Sequence, residues 1–257
     1  MSFLEVRKLT RFFGGLAAVM DLDMDVQPGR IFGLIGPNGA GKTTVLDILG
    51  GSLKPSRGRI MFKGEEMTSL PPHERTKLGI ARVFQENLLF RSFSVLENVL
   101  VGYHLQSKKD PFSIIFRSRS RKKEEKELES RALETLDFVG LGQYSNEPAT
   151  NLPHGRQRLL ALATALAAQP RLLLLDEPVT GMNAEEIETM LKMIRTLRDR
   201  KGITFIVIEH NLKAVMGLCD RIAVLNFGAK IAEGSPEEIV EIPAVMEAYL
   251  GKDEYVA

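Results

Sequence analysis

A chain of 257 residues, 44% hydrophobic and 26% charged, can bury a full core as one large domain or two small ones. Its 34 basic and 33 acidic residues leave a net charge of +1, without the global basic field that nucleic-acid binding usually leaves, so no nucleic-acid partner is expected. The single cysteine, Cys219, excludes a disulfide framework and cysteine-based zinc spacing, and reads as a small core residue in a reducing cytosol.

The opening, MSFLEVRKLT, has no apolar stretch of signal-peptide length. The longest apolar run, Leu159 to Ala168, is interrupted by Thr164 and falls short of the roughly 20 residues a bilayer span needs. Work at a membrane would therefore require a partner that holds the chain there. Phe3 to Val6 and Leu22 to Val26 alternate apolar and polar residues, which predicts strands of an N-terminal antiparallel β layer ending at the Pro28-Gly29 turn. Gly29 to Ile35, GRIFGLI, reads as a short buried strand.

That strand runs into Gly36, Pro37, Asn38, Gly39, Ala40, Gly41, Lys42, Thr43 and Thr44, the pattern of a phosphate-binding loop. Gly36, Gly39 and Gly41 leave backbone N–H groups free to wrap a triphosphate, Lys42 reaches the β and γ phosphates, and the Thr43 hydroxyl is placed to hold Mg²⁺. A helix from Thr43 to about Leu49 adds its positive end to the same anion site.

Further along, Pro55 to Gly58 is a turn, Arg59 to Phe62 a strand, and Gly79 to Gln85 a short strand ending in an amide that could contact metal and water. From about 91 to 168 the pattern is helical, with Val95 to Gly102, Glu124 to Val139 and Gln157 to Ala168 as the predicted helices. Strands resume at Arg171 to Leu175, Thr204 to Ile208 and Arg221 to Leu225, alternating with helices at about Glu185 to Arg200 and Leu212 to Leu218. Continuous apolar strands separated by helices predict a buried parallel sheet. The expected fold is thus α/β: a phosphate-loop NTPase core in a single domain over residues 1–257, with an N-terminal antiparallel β subdomain and an α-helical subdomain inserted at about 91–168.

Leu172 to Leu175 delivers two acids, Asp176 and Glu177, to its carboxyl end, where ligands of open α/β sheets bind. Asp176 fits the Mg²⁺-associated acid of phosphate-loop NTPases, and Glu177 can orient and deprotonate an attacking water. The next strand ends in Glu209-His210, which brings an imidazole to the same edge.

With these residues the chain resembles the nucleotide-binding subunits of ATP-binding cassette (ABC) transporters over essentially its whole length. The resemblance assigns Gln85 to a Q-loop, Pro153, His154, Gly155 and Arg156 to the signature loop, Thr180 to Asn183 to the D-loop, and His210 to the switch. It makes Phe13 the aromatic that stacks on adenine, with Phe12 as rival. It implies ATP and Mg²⁺ as cofactors, and two subunits that sandwich two ATP molecules, each held between one phosphate loop and the other subunit's signature.

This chain departs from the usual Leu-Ser-Gly-Gly-Gln signature by carrying Pro153, His154 and Arg156, so the serine hydroxyl is absent. Gly155 and the helix start remain, leaving backbone N–H groups and helix-end charge to bind phosphate. Arg156 either adds charge across the interface or is simply solvated. Asn183 replaces the usual D-loop aspartate.

The degenerate signature, Arg11 to Gly15, Ala81 to Gln85, Ile208 to His210 and Glu247 to Gly251 look like the branched-chain amino-acid importer ATPases, with urea and amide importers and the lipopolysaccharide-extraction exporters as alternatives. The resemblance implies transmembrane permease subunits as partners and a second ATPase subunit, more commonly different than identical. It also implies a solute-binding protein outside the cell as an indirect partner and a place at the cytoplasmic face of the membrane. Ser107 to Glu127 reads either as a solvated helix with an irregular lead-in or as a basic, partly apolar segment near the membrane partner.

Overall fold

The computed structural model describes residues 3–84, 89–104 and 119–250, which form two compact units. The first comprises 1–85, 171–180 and 184–257, the second 86–170 and 181–183.

In the first unit, β1 (Leu4–Phe13) and β2 (Leu16–Val26) form a long antiparallel hairpin. β4 (Arg57–Phe62) pairs with β1, and the two-residue β5 (Glu65–Glu66) with β4, giving a four-stranded antiparallel sheet in the order β2-β1-β4-β5. The second sheet contains β3 (Ile31–Ile35), β6 (Ile80–Val83), β7 (Leu172–Asp176), β8 (Thr204–Ile208), β9 (Arg221–Asn226) and β10 (Ala229–Gly234). Its order is β10-β9-β3-β8-β7-β6; every pairing is parallel except that of edge strand β10 with β9.

β3, β7 and β8 are buried at every position, as expected for strands covered on both faces. Their alternation divides the core. Leu172, Leu174, Ile206 and Ile208 share a cluster with Val45, Leu46 and Leu49 of α1 (Lys42–Gly50) and with Leu4, Val6 and Ile60 of the antiparallel sheet. α6 (Ala184–Lys201) buries Met190, Ile194 and Leu197, the spacing of one helical face. α2 (Pro72–Leu78), α7 (Leu212–Leu218), α8 (Pro236–Val240) and α9 (Pro243–Leu250) complete this unit. Cys219 is a buried core thiol, pushed up to about 12 by desolvation.

The second unit is helical: α3 (Val95–His104), α4 (Arg119–Phe138) and α5 (His154–Ala167). α3 and α5 meet so closely that a Cβ on Gly102 would stand 2.3 Å from the Thr164 carbonyl oxygen, so only glycine fits there. Residues 105–118, which hold most of the basic segment, lie outside the described residues. Among the described residues no helix is long and apolar enough to cross a membrane.

Candidate active site

The sheet order brings the carboxyl ends of β3, β8 and β7 side by side, since β3 pairs with β8 and β8 with β7. β3 leads into the phosphate loop, β7 into Glu177 and β8 into His210. A cavity of about 320 Å³ at this edge is walled by residues 38–44, Glu177, His210, Leu16 to Ala18 and Phe227.

The loop's glycines answer to contacts. A Cβ on Gly36 would lie 2.1 Å from the Leu225 carbonyl oxygen, and one on Gly41 2.2 Å from that of Ala18. Both have positive φ, as does Gly39. Lys42 is 5% exposed, and its Nζ donates to the carbonyl oxygens of Gly36 at 2.8 Å and Pro37 at 2.9 Å. Burial draws the Lys42 pKa below its ordinary value, while the charges of Glu177 and Asp176 pull it back up.

Asp176 is buried between strands. Its Oδ2 accepts from Arg82 at 2.9 Å, and Arg82 also reaches Asp47 of α1 at 2.5 Å. The other oxygen, Oδ1, is buried with no partner among the described residues. That oxygen is a donor atom of the type Mg²⁺ takes, and no cluster of three or more acidic, His or Cys side chains lies among the described residues to hold a metal unaided. One carboxylate beside a phosphate loop is the donor set expected when substrate phosphates supply the remaining ligands.

Glu177 follows with φ 49°, a left-handed conformation costly for a residue with a side chain. Its N–H donates to the Ile208 carbonyl at 2.9 Å, tying the ends of β7 and β8 together. Glu177 Oε1 lies 2.6 Å from His210 Nε2, and Thr180 Oγ1 donates to Oε2 at 3.1 Å. A carboxylate and an imidazole in contact at the cavity wall can hold and polarise a water.

Glu209, which sequence reasoning assigned no separate role, is 2% exposed and accepts from the N–H groups of Val179 at 2.8 Å and His210 at 3.2 Å. It thereby fixes the backbone on both sides of the Glu177–His210 contact. Its one sequence signal is an acid directly after an apolar strand.

Phe13 is 48% exposed with the Arg11 guanidinium 4.7 Å from its ring centroid, and neither Phe12 nor Phe13 lines the cavity. Gln85 lies outside the described residues. In the second unit, Pro153 is the N-cap of α5 and offers no side-chain capping bond. His154 is exposed and packs near Gly181, Gly155 is buried, and the Arg156 guanidinium stacks 4.4 Å from the Tyr144 ring centroid.

A phosphate loop, an acid pair and a histidine gathered on one parallel edge define a phosphate-loop nucleotide-binding ATPase. The family model for ABC transporters matches residues 19–180, and a model described as branched-chain amino acid ATP-binding cassette transporter matches residues 229–255. The chain is 41% identical over 249 residues to the high-affinity branched-chain amino acid transport ATP-binding protein LivG of Escherichia coli strain K12, covering 97% of this chain and 98% of that one. It is 39% identical, with the same coverage, to BraF of Pseudomonas aeruginosa, and 34% identical to the lipopolysaccharide export ATP-binding protein LptB of Acidithiobacillus ferridurans, over 96% of each chain. Among solved structures, an ATP-binding cassette in its ADP conformation superposes with a TM-score of 0.85 at 30% identity, covering 98% of this chain and all of that one. A dimeric cassette bound to ADP and phosphate gives 0.77 at 25%, covering 91% and 98%. The chain belongs to the ABC transporter family, as an ATP-binding subunit with ATPase function.

Proposed function

We propose that this chain is the ATP-hydrolysing subunit of an importer for branched-chain amino acids, bound at the cytoplasmic face of the membrane by permease subunits and paired with a second, different ATPase chain. The observation that carries this reading is the 41% and 39% identity, over nearly the full length, to LivG and BraF, both branched-chain amino acid transport ATP-binding proteins. The whole of 1–257 acts as one cassette in this reading, with the helical unit as its inserted subdomain. Likeness to LptB supports a second reading, an exporter subunit working as a homodimer.

In the proposed site the backbone of Gly36 to Thr44 and the Lys42 ammonium hold the triphosphate, exchanging the lysine's two loop carbonyls for phosphate oxygens. Thr43, Asp176 and Gln85 hold Mg²⁺, which when bound neutralises charge on the phosphates. Glu177 orients and takes a proton from the attacking water, and His210, in contact with its carboxylate, fixes its direction. Pro153, His154, Gly155 and Arg156 face the nucleotide of the second subunit, offering the backbone of the α5 start where a serine hydroxyl is missing.

Affinity purification of the tagged chain from its own membranes, followed by identification of untagged partners, tests the assignment. Permeases with a distinct ATPase are expected. A homodimer with lipid-export partners would establish the second reading instead.

A further inference from the structure

β9 and β10 are joined by a two-residue turn, because Asn226 pairs with Ala229 and only Phe227 and Gly228 stand between them. Both have positive φ, 45° and 79°. Such a turn favours Asn or Asp before the Gly, residues that tolerate the left-handed region and hydrogen-bond locally. Phe227 meets neither preference. Burial does not explain it either, for at 86% exposure it is the most exposed of the large hydrophobic residues described. An aromatic ring held in a disfavoured backbone conformation and left in water points to a use outside the fold itself.

The turn is tied to the phosphate loop. Gly228 N–H donates to the Ala40 carbonyl at 3.1 Å, and the Gly228 carbonyl accepts from Met20 N–H at 2.8 Å. A Cβ on Gly228 would come within 2.9 Å of the Ala17 carbonyl oxygen and 3.0 Å of that of Ala18, so the close seat on β2 requires glycine. The backbone that carries the ring is therefore pinned to both the loop and β2.

Phe227 lines the cavity that also holds Lys42, Glu177 and His210, and among the described residues it is the one phenylalanine that does so. Chemically the walls divide: the phosphate loop, Glu177 and His210 are polar, whereas Leu16, Ala17, Ala18 and Phe227 are apolar. A nucleotide has the same division, a polyanion joined to a flat base whose π-face stacks on aromatic rings. Phe13 does not line this space, and its ring is engaged by Arg11.

We propose that Phe227 is a wall of the base subsite and stacks on the purine of the bound nucleotide. The proposal rests on the reading of this cavity as the ATP site.

Tryptophan is absent from the sequence, so Phe227→Trp in the full chain places a lone indole at the proposed contact. Titration with ATP is expected to change its emission saturably. Inorganic tripolyphosphate, which offers the phosphates without a base, should compete with ATP while leaving the emission unchanged. Phe227→Asn restores the residue type the turn prefers and removes the ring, so it keeps the fold. Its ATP affinity should drop about tenfold with tripolyphosphate affinity retained. Wild-type ATP affinity in Phe227→Asn, or indole emission that responds equally to tripolyphosphate, overturns the proposal alone. A wild-type chain that binds neither ligand overturns the nucleotide reading and the proposal with it.

Discussion

Glu209 and Glu177 occupy neighbouring strand ends, and Glu209 lies outside the cavity lining that includes Glu177. Glu209 is sealed from water, and desolvation lifts its pKa above 4.5 although backbone N–H bonds from Val179, Asn211 and His210 oppose the rise. Between 4.5 and its higher folded value, the native chain keeps a proton that the unfolded chain has released. Stability contributed by this group therefore falls as pH rises through that window and is level above it. Urea unfolding across a pH series should show this decline in the wild type and lose it in Glu209→Gln. The same variant leaves a backbone donor without its acceptor and should lose about 1–3 kcal/mol at neutral pH.

Glu177→Gln keeps shape and hydrogen bonding but cannot take a proton. ATP binding should survive while steady-state hydrolysis drops about 10²–10⁴-fold; near-wild-type turnover would remove Glu177 from the proposed role. Lys42→Ala should weaken nucleotide binding about 30-fold or more by calorimetry, because it deletes the one buried ammonium at the loop.

Residues of this site that sit in contiguous motifs were legible in the sequence. The phosphate loop and the Asp176-Glu177 pair are strings of neighbours with strong chemistry, and strand register sufficed for His210. The contributions of Glu209 and Arg82 were not, because each depends on who stands beside it across the sheet. Phe227 gave no signal at all, since only the docked turn brings it to the cavity.

Among the elements, α1 shows how a short helix is held at both ends. Its start carries the phosphate loop, and its last carbonyls, Ile48 and Leu49, accept from the guanidinium of Arg75 in α2, with Leu49 at 2.8 Å. The same group donates to Leu70 at 2.9 Å and Thr68 at 3.1 Å. Arg75 is 1% exposed, and burial lowers its pKa to about 10. A cation at the negative end of a helix is favourable, and here it also satisfies carbonyls that the helix itself leaves open. Arg75→Met should cost about 3 kcal/mol or more in urea unfolding, through buried carbonyls left without donors. α2 escaped the sequence reading for the same reason that it matters: Arg75 is the one buried residue among its seven, so it has no apolar period to read. The strands β3, β7 and β8 were legible because complete burial demands continuous apolar runs.

For the whole molecule, the proposed function predicts that the chain's activity is set in company. With ATP and its partner ATPase, Glu177→Gln should accumulate as a closed dimer by light scattering. In that dimer Pro153→Ser should alter turnover at the partner's phosphate loop; unchanged turnover would show that the hydroxyl is dispensable there.

The position of β3 in its sheet has a consequence for how the protein is made. Both of its hydrogen-bonding neighbours, β8 and β9, lie roughly 170–190 residues further along the chain. At about 5–20 residues per second, a ribosome delivers them roughly 10–40 s after β3 has emerged. Throughout that interval an apolar strand attached to the nucleotide loop waits without a sheet to join. Nucleotide binding is therefore acquired only after β8 and β9 have been made, and the nascent chain needs protection across that interval.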